Sequence, residues 1–186
     1  VQDALFVAGV FNVFNRFSAI VRAANYVTMV NGNAPVLAFD DHIELTPVYD
    51  VFRLYQQLMI GSAVQVTITG KAHEVTPLQG VSSPHTNLHP VTIQEIDAAA
   101  VKNPETREIA VALINRTETA QAIVIELDGA GEYQFKDGCQ LRGDDPADLT
   151  AVIEDLRATE VISVNSRWVV DLEPAAIAWL RWQQVQ

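Results

Sequence analysis

The segment that decides the fold is Ala23–Leu37, which reads AANYVTMVNGNAPVL. We interpret it as one buried strand that ends in a tight polar loop, with an amphipathic helix on each side of it. A helix, a short apolar strand and a second helix form one repeat of an α/β barrel or of a wound sheet. One repeat cannot bury itself, because a parallel strand needs neighbours on both edges. We therefore expect this chain to be the tail of a larger enzyme.

Two helices are predicted around this strand. The first covers residues 3–24, with Asp3 as its N-cap and Gly9 placed for close packing on a neighbour. The second begins at Thr46-Pro47, where a capping hydroxyl precedes a proline at the first helical position, and ends at Gly61. The apolar face of the first helix is broader than a surface helix requires. We expect this face to cover a sheet or to be buried against another chain.

From residue 62 onward the period of the apolar residues changes to that of a strand. Residues 63–69 alternate as a strand with one solvated face does. Further strands are predicted at regular intervals, and their spacing is typical of an antiparallel β-sandwich; they cover residues 91–97, 107–114, 121–128, 132–136, 161–164, 167–172 and 176–182. We therefore predict a mainly β protein with two parts. Residues 1–61 form a helix-strand-helix repeat of a barrel or of a wound sheet, and residues 62–186 form a C-terminal β-sandwich domain.

The composition argues against several classes of partner. The formal net charge is −11 at pH 7, whereas nucleic acid and anionic membranes select basic surfaces. A neutral partner such as a sugar is compatible with this charge. No apolar run approaches the ~20 residues that span a bilayer, and the first three residues do not resemble a signal peptide. We expect a cytoplasmic protein.

The candidate metal and thiol sites are weak. Cys139 is the only cysteine, so an intramolecular disulfide or a thiolate zinc cluster is impossible, and a structural thiol is expected. His85 and His89 are four residues apart but are flanked by prolines, which disfavours a helix that presents both. The acidic residues at positions 144, 145 and 148 lack the spacing of an EF-hand calcium site. We expect no cofactor and no metal.

Short motifs are spread in order over nearly the whole chain. They are Asp3-Ala4-Leu5, Ala23-Ala24-Asn25, Val30-Asn31, Ala34-Pro35, Thr46-Pro47-Val48-Tyr49, Ala112-Leu113-Ile114-Asn115-Arg116, Gly143-Asp144-Asp145 and Leu172-Glu173-Pro174. In this order they resemble the C-terminal part of the family 51 α-L-arabinofuranosidases. The resemblance implies a (β/α)8 barrel followed by a β-sandwich of jelly-roll type.

The resemblance also implies an activity. Enzymes of this family remove terminal arabinofuranosyl groups from arabinose-containing oligosaccharides and polysaccharides with retention of configuration. They use two glutamates, at the ends of barrel strands four and seven. On this alignment the chain supplies helix seven, strand eight, helix eight and the sandwich, and both glutamates lie upstream of Val1. We therefore expect this chain to be inactive alone, and we expect the parent enzyme to be a homo-oligomer.

Thr28 and Asn31 are the predicted substrate-binding residues, because they lie on or just past strand eight, at the catalytic end of the barrel. The amide of Asn31 can donate and accept hydrogen bonds with sugar hydroxyls, although the same residue can instead hold the turn before Gly32. Many relatives have a glutamine that contacts arabinose at the position of Thr28. The shorter threonine implies altered specificity or a water in place of that contact.

No catalytic residue is predicted within this chain. Asp40, Asp41 and Glu44 follow the predicted strand but precede a helix start, where acidic groups are favourable in any case. We expect them to form a solvated loop rather than a catalytic pair.

The alternative is a non-catalytic carbohydrate-binding or structural β-sandwich module. The tryptophans that could stack on sugars are Trp168, Trp179 and Trp182. Trp179 and Trp182 point to opposite faces of the predicted last strand, so at least one of them is expected in the core.

Overall fold

The computed structural model describes residues 1–76, 89–128, 131–143, 150–164 and 167–185. Within these ranges the chain forms two helices and thirteen strands. In chain order they are α1 Gln2–Arg16, β1 Val36–Ala38, β2 Ile43–Leu45, α2 Pro47–Leu58, β3 Ser62–Val64, β4 Ala72–Val75, β5 Val91–Gln94, β6 Ile96–Asn103, β7 Glu108–Asn115, β8 Gln121–Glu126, β9 Tyr133–Arg142, β10 Val152–Leu156, β11 Val161–Val164, β12 Arg167–Leu172 and β13 Ile177–Gln184.

Two antiparallel sheets form a β-sandwich. The larger has six strands in the order β10-β9-β13-β7-β6-β3, and the smaller has three in the order β11-β12-β8. Their facing side chains share one hydrophobic core, in which Leu113 and Trp182 of the larger sheet pack with Trp168 of the smaller. Such a sandwich is stable because each sheet buries the apolar face of the other. The predicted mainly β, antiparallel fold is confirmed.

The two helices cover the other face of the six-stranded sheet and form a second core with it. Ala4, Val7 and Ala8 of α1 and Val48, Val51 and Leu54 of α2 pack against sheet residues that include Ile114, Leu141 and Trp179. Strands β7 and β13 therefore have protein on both faces. This explains why Ile109–Ile114 is apolar without alternation, since a strand buried on both sides reads as a continuous apolar run.

The bounds of the first helix differ from the prediction. Helix α1 ends at Arg16 rather than at residue 24, and Val1 occupies the N-cap position predicted for Asp3. Asp3 instead lies in the first turn, where a carboxylate interacts favourably with the positive end of the helix dipole. The apolar periodicity continues past Arg16, but residues 17–20 form turns and are exposed, so no burial stabilises a longer helix.

The second helix begins as predicted, after Thr46 and with proline in its first turn. The Thr46 hydroxyl does not cap the helix, however; it donates to the carbonyl oxygen of Ala34 at 3.0 Å. The helix ends at Leu58, before Gly61. A Cβ atom on Gly61 would lie 2.5 Å from the carbonyl oxygen of Lys102. This glycine therefore lets the chain pass close to β6 rather than stopping the helix.

The buried strand predicted within Ala23–Leu37 is not formed. No regular strand precedes Val36; Val30 makes only an isolated parallel bridge to Val36, and residues 27–33 are exposed. A lone parallel strand would leave its backbone groups unpaired along both edges, and no described part of this chain supplies a neighbour for residues 23–29. Residues 36–45 instead fold back as the antiparallel β1–β2 hairpin.

The first strand of the predicted β-sandwich domain, residues 62–186, also differs from its prediction. The predicted strand over residues 63–69 is formed only as β3, which pairs with β6 at the edge of the six-stranded sheet. Val66 and Ile68 continue along the sandwich without regular pairing, half-buried against its core. The division of the chain into two parts between residues 61 and 62 stays a prediction. The helices of the first part share a hydrophobic core with the six-stranded sheet of the second.

Candidate functional site

The two predicted substrate-binding residues lie in the exposed segment between α1 and β1. Asn31 has a left-handed backbone with φ of 63°. Its backbone N–H donates to the carbonyl oxygen of Val36 at 2.9 Å, and its Oδ1 accepts from the N–H of Ala38 at 2.8 Å. The side-chain oxygen thus holds the turn. Thr28 is exposed three residues earlier, and binding of a sugar by either residue stays a prediction.

The acidic residues that follow this segment lie on the β1–β2 hairpin. His42 stacks on Phe39 with ring centroids 4.7 Å apart; its Nδ1 lies 2.7 Å from Asp41 and its Nε2 lies 3.3 Å from Glu44. The hydrogen bond to Asp41, with a smaller contribution from Glu44, raises the pKa of His42 above its ordinary value. All these residues are exposed. A carboxylic acid that stays protonated at neutral pH requires an apolar site, so this solvated loop does not suit a general acid.

A buried carboxylate joins the helices to the sandwich. Asp97 in β6 accepts from Arg16 Nη1 of α1 at 2.7 Å through Oδ1, and from Arg116 Nη2 at 2.9 Å through Oδ2. Arg16 Nη1 also lies 3.1 Å from the carbonyl oxygen of Ala98. The side chain of Asp97 is 7% exposed, and a charge so buried requires such partners. This pairing fixes the position of α1 on the sheet.

The predicted close packing at Gly9 is confirmed, and the neighbour is Arg116. A Cβ atom on Gly9 would lie 2.9 Å from Arg116 Nη2, so a side chain there would displace the guanidinium that pairs with Asp97.

A second polar contact joins the two helices next to this ion pair. The hydroxyl of Tyr55 in α2 lies 2.7 Å from Asn12 Oδ1 and 3.1 Å from the carbonyl oxygen of Ala8, both in α1. Burial raises the pKa of Tyr55 well above its ordinary value, which keeps the hydroxyl protonated as a donor. The Tyr55 ring also packs edge-on against Trp179, at 5.6 Å. Sequence reasoning did not find this junction, which joins residues far apart along the chain.

The tryptophans do not form a surface for stacking on sugars. Trp168 is 4% exposed, Trp179 is 1% exposed and Trp182 is fully buried. Trp179 belongs to the core under the helices and Trp182 to the core between the sheets, so the prediction of opposite faces is confirmed, and both residues are core.

Cys139 is buried in β9 and has the character of a structural thiol. Burial, with a contribution from the Asp155 carboxylate, raises the pKa of Cys139 to about 11. Among the residues that the structure describes, no group of three His, Cys, Asp or Glu side chains is arranged to hold a metal ion. His85 and the acidic residues at 144, 145 and 148 lie outside those residues. No described helix is both long and apolar enough to cross a bilayer.

Comparison with known proteins identifies the family of this chain and solved structures that share its fold. The chain matches the family model of the α-L-arabinofuranosidase C-terminal domain over residues 1–167, whereas no curated protein sequence matches it. Three α-L-arabinofuranosidase structures share its fold. The enzyme from Thermotoga maritima, an arabinose complex, gives a TM-score of 0.75 at 21% identity and covers 98% of this chain. The family 51 enzyme from Bifidobacterium longum gives 0.78 at 17% identity, also over 98%. The family 51 enzyme from Thermotoga petrophila gives 0.71 at 22% identity over 96%.

The match accounts for only part of each enzyme. The chain spans 38% of the Thermotoga maritima protein, 35% of the Bifidobacterium longum protein and 37% of the Thermotoga petrophila protein. Identities this low establish the fold, and the family match over most of the chain establishes its membership. The protein belongs to the α-L-arabinofuranosidase C-terminal domain family.

Proposed function

We propose that this chain is the C-terminal part of a retaining α-L-arabinofuranosidase whose two catalytic glutamates lie in a barrel outside the chain. The observation that carries the proposal is that α1 is apolar on two opposite sides. One side packs into the core shared with α2 and the sheet. The other side keeps Phe6, 73% exposed, in line with the exposed Val13, and the exposed Phe17 follows directly after the helix. A helix that covered only this sheet would have a polar outer face.

The proposed reaction requires two carboxyl groups close together, and we propose that both lie outside this chain. Retaining glycosidases use two carboxyl groups about 5–5.5 Å apart, one as nucleophile in a covalent glycosyl-enzyme and the other as acid and base. Among the described residues of the six-stranded sheet, three carboxylates are buried or half-buried. They are Asp97, Glu108 and Asp137, and each pairs with an arginine or a lysine. Asp41 and Glu44 pair with His42 on an exposed hairpin. We therefore assign the acid and the nucleophile to residues of the barrel.

Within the whole enzyme, the chain would brace the barrel and complete its substrate site. The Asp97 ion pairs hold α1 on the sandwich, and the Tyr55 hydroxyl holds α2 on α1. Both ends of the segment between the helices are therefore fixed in position. We propose that Thr28 and Asn31, in that segment, bind hydroxyls of an arabinofuranoside substrate. We also propose that the enzyme is a homo-oligomer in the cytoplasm. The exposed apolar side of α1 supports burial of this helix against the barrel or against another subunit.

A chimera tests this proposal. The chain replaces the corresponding C-terminal part of the Thermotoga maritima enzyme, and hydrolysis of 4-nitrophenyl α-L-arabinofuranoside is measured for the chimera and for the chain alone. We expect turnover by the chimera and none by the chain. Phe6→Asp should abolish turnover by the chimera, whereas Val124→Asp, on an exposed position of β8, should leave it unchanged. Turnover by the chain alone that is lost in Glu44→Gln would contradict the assignment of the catalytic groups.

The predicted sugar contacts are tested in the same chimera with near-isosteric changes. Asn31→Asp keeps the oxygen that accepts from Ala38 but removes the amide donor, and Thr28→Val removes only the hydroxyl. Each change should raise KM about two- to tenfold, as expected for one lost neutral hydrogen bond. An unchanged KM in both variants would remove these residues from the substrate site without affecting the family assignment.

A further inference from the structure

A cleft of about 310 Å³ with mixed polar and apolar walls lies at the C-terminal end of α2. Its walls come from the last turn of α2, from the turn between β6 and β7, and from β9 and β13, with Leu58, Thr106, Lys136 and Arg181 among the lining residues. Gly61 allows the chain after α2 to touch β6 at Lys102, which keeps the two walls close together. Clefts of this size lie at the lower limit of those that bind small molecules.

Each charged side chain that lines the cleft is paired with an opposite charge. Lys136 Nζ pairs with the carboxylate of Glu108. Arg181 donates through Nε and Nη2 to the two oxygens of Asp137, at 2.6 Å each, and its Nη1 lies 3.8 Å from Glu108. The two cations that line the cleft thus pair with Glu108, which also lines it, and with Asp137, which is not one of the lining residues. Because each cation already has a carboxylate partner, the cleft offers no unpaired charge to attract a phosphate or a metal ion.

The uncharged groups of the cleft keep hydrogen-bonding capacity to spare. Asn103 Oδ1 accepts from the N–H groups of Glu105 and Thr106, at 2.9 and 3.2 Å, which leaves the amide NH2 of Asn103 available. Gln57 accepts a long hydrogen bond of 3.4 Å from Arg53 through its oxygen, which leaves its own NH2 available. Within the described part of the chain, neither NH2 group donates to another residue. Leu58, Ile60 and Ala110 supply apolar surface beside them.

We propose that this cleft binds a neutral, hydroxyl-rich molecule with one or two sugar rings. Amide and hydroxyl groups satisfy the hydroxyls of a sugar, the apolar residues accept its C–H surface, and the paired charges contribute further donors and acceptors without selecting a charged ligand. Sugar binding at this cleft would depend on the residues of the cleft and not on the family of the chain. The cleft can therefore fail to bind sugar while the proposed function is correct, and the cleft can bind sugar while the proposed function is wrong.

Nuclear magnetic resonance of the full 15N-labelled chain tests the proposal directly, with L-arabinose and xylobiose as neutral probes. We expect saturable shifts of the side-chain amide signals of Asn103 and Gln57 and of the backbone amide of Thr106. The mapping on the unaltered chain does not depend on the folding of any variant. Saturable shifts that appear elsewhere but not at these groups, or no saturable shift with either probe, would overturn the proposal.

Two variants and one matched control sharpen the test. Asn103→Asp keeps the oxygen that holds the turn and removes the amide donor, and Thr106→Val removes one hydroxyl. Each should weaken binding about two- to tenfold, the effect of one neutral hydrogen bond. Thr92→Val, on the exposed part of β5, should not change it. Equal affinity in all variants, or tighter and salt-dependent binding of glucuronate than of arabinose, would show that the cleft does not select a neutral sugar.

Discussion

Arg16, at the last position of α1, reaches the carboxylate of Asp97, the second residue of β6, with 2.7 Å between Nη1 and Oδ1. The two residues are 81 positions apart in the chain. The same carboxylate accepts from Arg116, which follows β7. One buried charge therefore depends on a helix that packs on the sheet and on a residue next to the neighbouring strand. Asp97 therefore links α1 to the sandwich through two ion pairs.

We expect Asp97→Asn to lower the free energy of unfolding by about 2–3 kcal/mol. Removal of one partner from a buried ion pair costs about 3–5 kcal/mol when the remaining charge is fully buried, but Arg16 is 39% exposed and can regain water. Urea unfolding followed by circular dichroism measures the difference. Glu126→Gln breaks an exposed pair with Arg167 and should cost less than about 0.5 kcal/mol. Equal stability of the two variants would show that Asp97 has no special role at the junction.

Gly9→Ala should destabilise the protein by about 1 kcal/mol, although alanine favours a helix by about that amount. The new methyl group would displace Arg116 Nη2 from Asp97, and a hydrogen bond between charged groups contributes about 1.5–3 kcal/mol. In an Arg116→Met background this conflict is absent, so the same change should stabilise the protein. A double-mutant cycle by urea unfolding measures this reversal of sign. A stabilising effect in both backgrounds would mean that Arg116 moves aside at no cost.

Trp168→Ala should lower the free energy of unfolding by about 3–5 kcal/mol, the usual cost of truncating a buried tryptophan. Trp168 packs edge-on against Trp182, with ring centroids 5.7 Å apart, in the core between the sheets. Val124→Ala in the adjacent strand β8, at an exposed position, should change stability by less than about 0.5 kcal/mol. A Trp168→Ala variant that kept its stability but lost sugar affinity would instead support the carbohydrate-binding alternative.

The Cys139 thiol should resist modification in the native state. With its pKa at about 11 rather than 9.0, the thiolate fraction near neutral pH falls about a hundredfold, so Ellman's reagent should react slowly until urea unfolds the chain. Rapid reaction in the native state would contradict the raised pKa.

The same shift makes stability depend on pH in alkaline solution. Between pH 9 and 11 the unfolded thiol loses its proton while the native thiol keeps it, so the free energy of unfolding falls as the pH rises through this window. The raised pKa of Tyr55 acts in the same direction above pH 10. Cys139→Ala should therefore lose less stability than the parent between pH 8.5 and pH 10.5, as measured by urea unfolding. Equal losses would assign the whole effect to Tyr55 and other groups.

The elements that were predicted accurately carry local signals. Strands β11 and β12 have the predicted bounds, and α2 begins after Thr46-Pro47, because β alternation and a proline in the first helical turn are read within a few residues. Strand β6 was recognised only at its start. Its centre is Ala98-Ala99-Ala100, and alanine has a low β-propensity. Burial on both faces, under α1 and in the core between the sheets, determines this strand, and no short window of sequence shows that burial.

The other differences between prediction and structure also arise from contacts between segments that are distant in the sequence. The edge strand β10 carries Glu154 and Asp155 and lacks an apolar pattern. The segment before Val36 has the composition of a buried strand, but a strand requires partners that the described chain does not supply. At the candidate site, the prediction that Thr28 and Asn31 bind a sugar started from a strand that this chain does not form, and it stays a prediction. The pairing of Arg16 with Asp97 could not be predicted, since it joins two distant segments by geometry alone.

Trp179 and Trp182, three residues apart on β13, serve as the central aromatic residues of two separate cores. During synthesis on the ribosome, helix α2 therefore emerges long before β13, the strand on which it packs. Until residues 177–184 leave the exit tunnel, the side of α2 that contacts this strand stays in water, where a chaperone can bind it.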